Sequence, residues 1–363
     1  VDRDRYAARR EKLCAALAAE GLDGLIVTGL ANVRYLSGFS GSAGVLLVRE
    51  RESVFLTDFR YRTQAEGELG GGLRVEVVSS DLWGRVWEVL GEQRVVGEVG
   101  FEAHMVSVAE WERFPGNGRV RFRPVQGMVE RLRVSKEPEE VAAIGEAARL
   151  ALEALEATLE RVRVGQSELE VAAILEAELR RRGSEWHPFP TIVASGARTA
   201  LPHARTSSKT IGRGEWLLLD FGAQVDGYCA DVTRTVVVGR APDERQAAVY
   251  DMVREAQLRA RCGIRVGMTG KEADALARSV IELRGFGDAF GHSLGHGLGL
   301  DVHEGPRLNR TNTEPIPPHA VVTIEPGAYF PGWGGVRIED DLYLAPEGPK
   351  LLTDGDTELR VVG

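Results

Sequence analysis

The stretch Leu217 to Val238, LLLDFGAQVDGYCADVTRTVVV, dictates more about the fold than any other part of the chain. Apolar and β-branched residues flank Asp226-Gly227, a dipeptide suited to a type I′ hairpin turn, so the segment predicts two antiparallel strands. A turn at those residues sets Asp220 opposite Thr233 and Asp231 opposite Gly222. The two acids become diagonal neighbours on one face, roughly 7–8 Å apart at Cα. Glycine at 222 leaves no side chain opposite Asp231 to fill the space between them. Each carboxylate interrupts a strand apolar enough to be buried, and buried unpaired charge is costly. A metal ion would meet the need. So would two separate salt bridges, or a turn cap plus one surface acid, and the hairpin alone does not choose.

At 363 residues the chain is too long for one ordinary core and predicts two domains. Its 43% hydrophobic and 27% charged residues describe a globular protein, and no apolar run approaches the roughly 18–20 residues of a membrane span. The net charge of −9 and the lack of a basic tract argue against nucleic acid as a partner. Cys14, Cys229 and Cys262 are widely spaced and suggest neither a disulfide framework nor a zinc knuckle. With a charged, signal-free opening, VDRDRYAARREKL, they predict a cytoplasmic protein.

Residues 3–20 read as helix. Strands follow at 24–29, 44–50 and 53–58, then a helix at 60–69, a strand at 73–80 and a helix at 81–93. A strand at 95–102, a helix at 106–114 and a strand at 120–126 complete an α/β domain, placed at 1–127. No Gly-x-Gly-x-x-Gly follows a strand there, so no nucleotide site is read. Trp83 and Trp87 sit at helical spacing and read as core or interface. The second domain is placed at 128–363. Ser135 is the expected cap of a helix with Pro138 in its first turn, whose stripe runs Val141, Ile144, Ala148, Leu152, Leu155 and Leu159.

That domain carries an internal repeat. VRVGQSELEVAAILEAELRRRG (162–183) aligns without gaps on IRVGMTGKEADALARSVIELRG (264–285), with capping boxes at Ser167/Glu170 and Thr269/Glu272. The preceding helices, 139–161 and 243–262, keep nearly the same offset. Two related halves predict a pseudo-two-fold α+β domain with its site between them. Asp220 and Asp231 end the first half. GHSLGHGLGLDVHE, VVTIEPGAYF and VRIEDDLYL belong to the second.

Six of the seven histidines lie in this domain: His187, His203, His292, His296, His303 and His319. His296 sits between glycines, where a ligand can approach closely. Glu325 ends an apolar strand before Pro326, and Glu339 follows Arg337 at the spacing that faces both the same way. Alone, that pair could be a surface ladder, and His203 and His292 could be loop histidines. Four carboxylates and one imidazole exceed the needs of one metal. Hard oxygen donors with one nitrogen suit Mn²⁺, Co²⁺, Fe²⁺ or Zn²⁺, and paired ions support hydrolysis.

These blocks resemble, in order, the motifs of the pita-bread metallopeptidases, a group that includes methionine aminopeptidase, aminopeptidase P, prolidase and the metal-free creatinase. VASGARTALPHA (193–204) is similar to the block bearing a substrate-site histidine. NVRYLSGFSGSAGVLL (32–47) and FLTDFRYRTQAE (55–66) resemble the creatinase-type N-terminal domain, which methionine aminopeptidases lack. The resemblance implies Asp220, Asp231, His296, Glu325 and Glu339 as ligands of two divalent ions. Mn²⁺ is expected, with Co²⁺ or Zn²⁺ as alternatives. Asp231 and Glu339 would bridge the ions, and Glu325 would also handle the nucleophile's proton. His203 and His303 would hydrogen-bond the substrate carbonyl or tetrahedral intermediate, Arg337 would orient the site, and His292 would touch a ligand or the substrate. The family usually has Asn where this chain has Arg198, which leaves the loop before His203 open. The intact ligand set argues against a creatinase-like activity.

The implied function is an Xaa-Pro aminopeptidase acting on peptides with proline second. GFSGSAG and TDFRYRTQA favour it over the alternative, an Xaa-Pro dipeptidase (prolidase). A non-catalytic peptide-binding relative is the reading from another class. By analogy with the family a homodimer is expected.

Overall fold

The computed structural model describes residues 3–69, 73–115 and 119–363, and the chain divides into two compact units, Val1–Arg133 and Val134–Gly363. In the first unit α1 (Arg3–Ala19) leads to β1 (Gly24–Val27), α2 (Leu30–Ser37), β2 (Val45–Val48), β3 (Val54–Asp58) and α3 (Arg62–Glu68). Then come β4 (Arg74–Val78), α4 (Leu82–Glu92), β5 (Gly97–Glu102), α5 (Val108–Trp111), β6 (Val120–Val125) and α6 (Glu130–Arg133). The strands form one mixed sheet in the order β4-β3-β2-β1-β5-β6. Trp83 and Trp87 stack at 5.4 Å and pack on the core with Phe114 and Phe122.

One detail of this unit escaped the sequence. Helix α2 was not foreseen: it starts at Gly29 with no side-chain cap, so the usual entry signal is missing. At the end of the unit Val129 and Arg133 are buried, and Arg133 Nη1 donates to Asn32 Oδ1 at 2.6 Å.

The second unit opens with α7 (Pro138–Leu159) and α8 (Glu168–Arg182), followed by β7 (Ile192–Ser195), β8 (Trp216–Phe221), β9 (Gln224–Val225), β10 (Tyr228–Cys229) and β11 (Val232–Val238). Its later part holds α9 (Glu244–Gly263), α10 (Gly270–Leu283), β12 (Gly295–Gly297), β13 (Glu304–Leu308) and β14 (Ala320–Ile324). It ends with β15 (Gly327–Phe330), β16 (Gly334–Arg337), β17 (Asp340–Ala345), β18 (Gly348–Leu351) and β19 (Val361–Val362). Helices α7 and α8 share a core with the sheet β19-β11-β8-β7, and α9 and α10 with the sheet β13-β12-β14-β17-β18.

The internal repeat is visible in this arrangement. Both capping boxes form, and single bridges Ser167↔Thr210 and Thr269↔Pro315 pin the two equivalent helix entries. The cap of α7 is Glu137, not Ser135. Glu140 accepts from the Glu137 N–H at 2.8 Å, while Ser135 Oγ donates to the Pro318 carbonyl at 2.9 Å. Pro138 fixes the first helical position and so moves the cap to the residue before it.

Candidate metal centre

The hairpin keeps the register read from the sequence. Asp220 pairs with Thr233, and Asp226 and Gly227 turn with φ of 48° and 75°. One inference from it fails. A Cβ at Gly222 would lie 2.2 Å from the Ala230 carbonyl and 2.6 Å from Pro188, so that glycine makes room for backbone and Pro188, not for a space between the acids. The two sheets of the unit meet where Glu339 bridges Thr233, with Glu339 N–H donating to the Thr233 carbonyl at 3.1 Å. The first half thus delivers Asp220 and Asp231 to the same place as Glu339 from the second.

Strands β12 and β14 add the other donors. Asp231, His296 and Glu339 offer ligand atoms within 4.8 Å of one another, and all three are buried. Glu325, at the end of β14, brings Oε1 to 3.4 Å from His296 Nε2, and Asp231 Oδ2 lies 3.7 Å from the same nitrogen. His296 Nδ1 lies 3.0 Å from the Gly297 carbonyl. A carbonyl only accepts, so Nδ1 carries the proton and Nε2 turns a lone pair toward the carboxylates. Burial holds the His296 pKa down at about 4, so the ring is neutral at neutral pH.

The carboxyls are pushed the other way. Burial, then Glu339, Asp220, Asp341 and Glu325, drives Asp231 well above the usual carboxylate range. Glu325 follows, through burial and Glu339, and Glu339 is pushed up to about 8 by burial and Asp220. Asp220 is also raised by burial, with Arg337 pulling against it. Acceptors facing acceptors must hold either protons or a cation. Carboxylates plus a neutral imidazole with a fixed tautomer are the donor set of a hard-to-borderline divalent ion.

Arg337 and Glu339 are 3% and 2% exposed, which rules out the surface ladder. Arg337 Nη2 pairs with Asp220 Oδ2 at 2.5 Å, Nη1 donates to Tyr329 Oη at 2.8 Å and Nε to Thr233 Oγ1 at 3.1 Å. Thr233 Oγ1 passes its own proton to Glu339 Oε2 at 2.6 Å. His292 Nε2 lies 2.9 Å from Tyr329 Oη, and burial lowers its pKa to about 4. The His303 and His296 rings meet edge-on at 4.4 Å. Among the described residues neither His203 nor His303 has a hydrogen-bond partner for its ring, so both keep polar atoms for a ligand.

The sequence reading missed Thr233 and Tyr329. Register already placed Thr233 across from Asp220, so its signal was present, whereas nothing local marks Tyr329. Arg198 also finds its role here. Its Nε lies 3.1 Å from Glu168 Oε1 and it donates to the Arg205 carbonyl, which ties the loop before His203 to α8.

Residues 142–346 match metallopeptidase family M24, and residues 9–135 match the creatinase/prolidase N-terminal domain. The chain belongs to metallopeptidase family M24. An Xaa-Pro dipeptidase of Pyrococcus furiosus is 36% identical over 97% of this chain and 99% of its own length. Among solved structures, an Xaa-Pro dipeptidase from Bacillus anthracis is 39% identical with a TM-score of 0.95, covering 98% of this chain and all (100%) of its own. An X-Pro aminopeptidase from Thermotoga maritima is 36% identical with a TM-score of 0.90, covering 97% and 99%. The creatinase-type first unit and the pita-bread second unit of this M24 protein stand as the sequence implied. No helix among the described residues is long and apolar enough to cross a membrane.

Proposed function

We propose that this M24 metallopeptidase hydrolyses the bond between a first residue and a proline in second place, with the Xaa-Pro dipeptide as its substrate. The observation that carries the hydrolytic reading is the set Asp220, Asp231, His296, Glu325 and Glu339, all buried but the partly exposed Glu325, acceptors gathered with a fixed imidazole lone pair. The proline specificity rests on the similar proteins named Xaa-Pro dipeptidase. Aminopeptidase P activity is the second reading, supported by the likeness to the Thermotoga maritima structure and by the GFSGSAG and TDFRYRTQA segments.

The five residues would hold two divalent ions, Mn²⁺ in this reading, which when bound make water a nucleophile near neutral pH and polarise the scissile carbonyl. The chain's own groups do the rest. Glu325, its carboxyl raised by burial, takes the proton at Oε and returns it to the departing imino nitrogen. His203 and His303 donate to the carbonyl oxygen as it gains charge. Arg337, held by Asp220, Thr233 and Tyr329, keeps Glu339 aligned through Thr233. A homodimer and a cytoplasmic location belong to the same proposal.

The test is a rate comparison on Mn²⁺-loaded protein between Ala-Pro and Ala-Pro-Ala. Cleavage of the dipeptide alone supports the dipeptidase. Cleavage of the tripeptide with little dipeptide turnover replaces it with aminopeptidase P. Silence on both, with metal bound, overturns the enzymatic reading in favour of a peptide-binding protein.

A further inference from the structure

In the proposed reading His303 meets the substrate, yet among the described residues no hydrogen bond holds its ring. Among the described residues its only ring contact is the edge of His296. A side chain without hydrogen-bonded support takes its position from its backbone. The backbone here is a short loop, Gly297 to Glu304, and the residue after His303 organises it.

The Glu304 side chain folds back over that loop. Its Oε1 accepts from the Asp301 N–H at 3.0 Å, and its Oε2 receives Lys136 Nζ at 3.1 Å. The ion pair is buried, with side-chain exposures of 1% for Lys136 and 7% for Glu304. Lys136 is anchored in turn by its own N–H, which donates to the His319 carbonyl at 2.8 Å. Room for the carboxylate comes from Gly299, where a Cβ would lie 2.6 Å from Glu304 Oε1. The loop's far side is stitched to the metal-ligand hairpin, since the Gly299 carbonyl accepts from the Cys229 N–H at 2.8 Å. Leu300 and Val302 pack on the core of Ile144, Tyr228, Cys229 and Leu298.

A buried ion pair adds little net stability over an apolar pair of the same volume, so geometry is what it supplies. We infer that Glu304, clamped by Lys136 and seated in the space left by Gly299, is a positioning residue that holds His303 toward the substrate. It acts through His303. This rests on the reading of His303 as a substrate contact.

The experiment is a double-mutant cycle on Mn²⁺-loaded full-length protein, reading kcat/KM on Ala-Pro and Ala-Pro-Ala together with bound manganese. His303→Ala is expected to lower kcat/KM about 10²-fold on the cleaved peptide. Glu304→Gln is expected to lower it about tenfold with manganese content unchanged. In the His303→Ala background Glu304→Gln should cost less than about twofold, because the ring it positions is gone. Gly299→Ala reaches the same carboxylate from the other side without removing a charge, and should reproduce this non-additive loss if Glu304→Gln fails to fold. Losses that multiply equally in both backgrounds, or manganese lost in step with activity, overturn the inference. A harmless His303→Ala overturns the substrate-contact reading, and the inference with it.

Discussion

Glu339 and Asp340 are neighbours in sequence, both buried, and they live in opposite worlds. Asp340 is surrounded by donors: Arg234 Nη2 at 2.8 Å, Arg261 Nη1 at 3.1 Å, Gln257 Nε2 at 2.5 Å and Thr353 Oγ1 at 2.9 Å. Glu339 faces the Asp231 carboxyl and the lone pair of His296, and among the described residues the one hydrogen-bond donor to its carboxylate is Thr233. Glu168 resembles Asp340, since Ser195, Ser207 and Arg198 all donate to it. Burial of an acid is therefore no sign of function by itself. The sign is a buried acid whose neighbours cannot supply protons.

The sharpest way to break the comparison is to neutralise each acid. Asp231→Asn and Glu339→Gln should abolish peptidase activity, a loss beyond the roughly 10–100-fold seen for outer partners of metal ligands, and lower bound metal. The metal-free variants should nonetheless melt above the metal-free parent, because a repulsion is gone. Retained activity with metal present would remove these residues from the site. Asp340→Ala should do the reverse, destabilising the fold by about 3–5 kcal/mol by leaving Arg234 buried without its carboxylate. Denaturant melts measure this, and a loss under 1 kcal/mol, on the order of a surface pair, would erase the contrast.

Between these lies Thr233→Val, which removes the proton donor to Glu339 and the acceptor for Arg337. It should cost about 10–100-fold in metal affinity or kcat/KM. A metal titration that leaves the affinity unchanged would show that Thr233 has no part in orienting Glu339.

Acidity sharpens the comparison further. Burial holds His292 and His296 at about 4 against an ordinary 6.5, so their contribution to stability is complete above 6.5 and is lost as pH falls toward 4. Glu339 runs the other way. Pushed up to about 8 from 4.5, its contribution is complete below 4.5 and is lost as pH rises through 8. From pH 6.5 to 8 the carboxyl effect stands alone, so the melting temperature of metal-free protein should fall across that window. Excess Mn²⁺ should reverse the slope, because ligands bind metal deprotonated. Melting curves in chelator and in Mn²⁺ decide, and a metal-free temperature that rises with pH would contradict the picture. The smallest effect is expected at Arg198→Ala, about 0.5–1 kcal/mol of stability, because Arg198 is 30% exposed and Ser195 and Ser207 still donate to Glu168.

Much of the site could be read before any coordinates. The Asp226-Gly227 turn fixes the hairpin register, because strand period and turn type leave little freedom, and register alone put Asp220 opposite Thr233. The repeat and its capping boxes announced two halves, since both are local rules that tertiary packing did not override. The motif blocks brought the family with them. Helix α2 and the cap of α7 were not legible, one for lack of a capping side chain and the other because Pro138 outweighed Ser135.

What only the tertiary structure decided is which polar groups face which. Nothing in VRIEDD says that its Glu meets acceptors while the Asp beside it meets two arginines. The two arginines come from residues 79 and 106 positions away in the chain. Nor does EPGAY reveal that Tyr329 joins His292 to Arg337, or HEGP that its Glu closes on Lys136 beneath the His303 loop. Local sequence sets turns, caps and alternation because these are short-range sterics. Proton supply and charge balance in a buried site are set by long-range packing, and that is what separates an acid that holds the fold from one that can hold a metal.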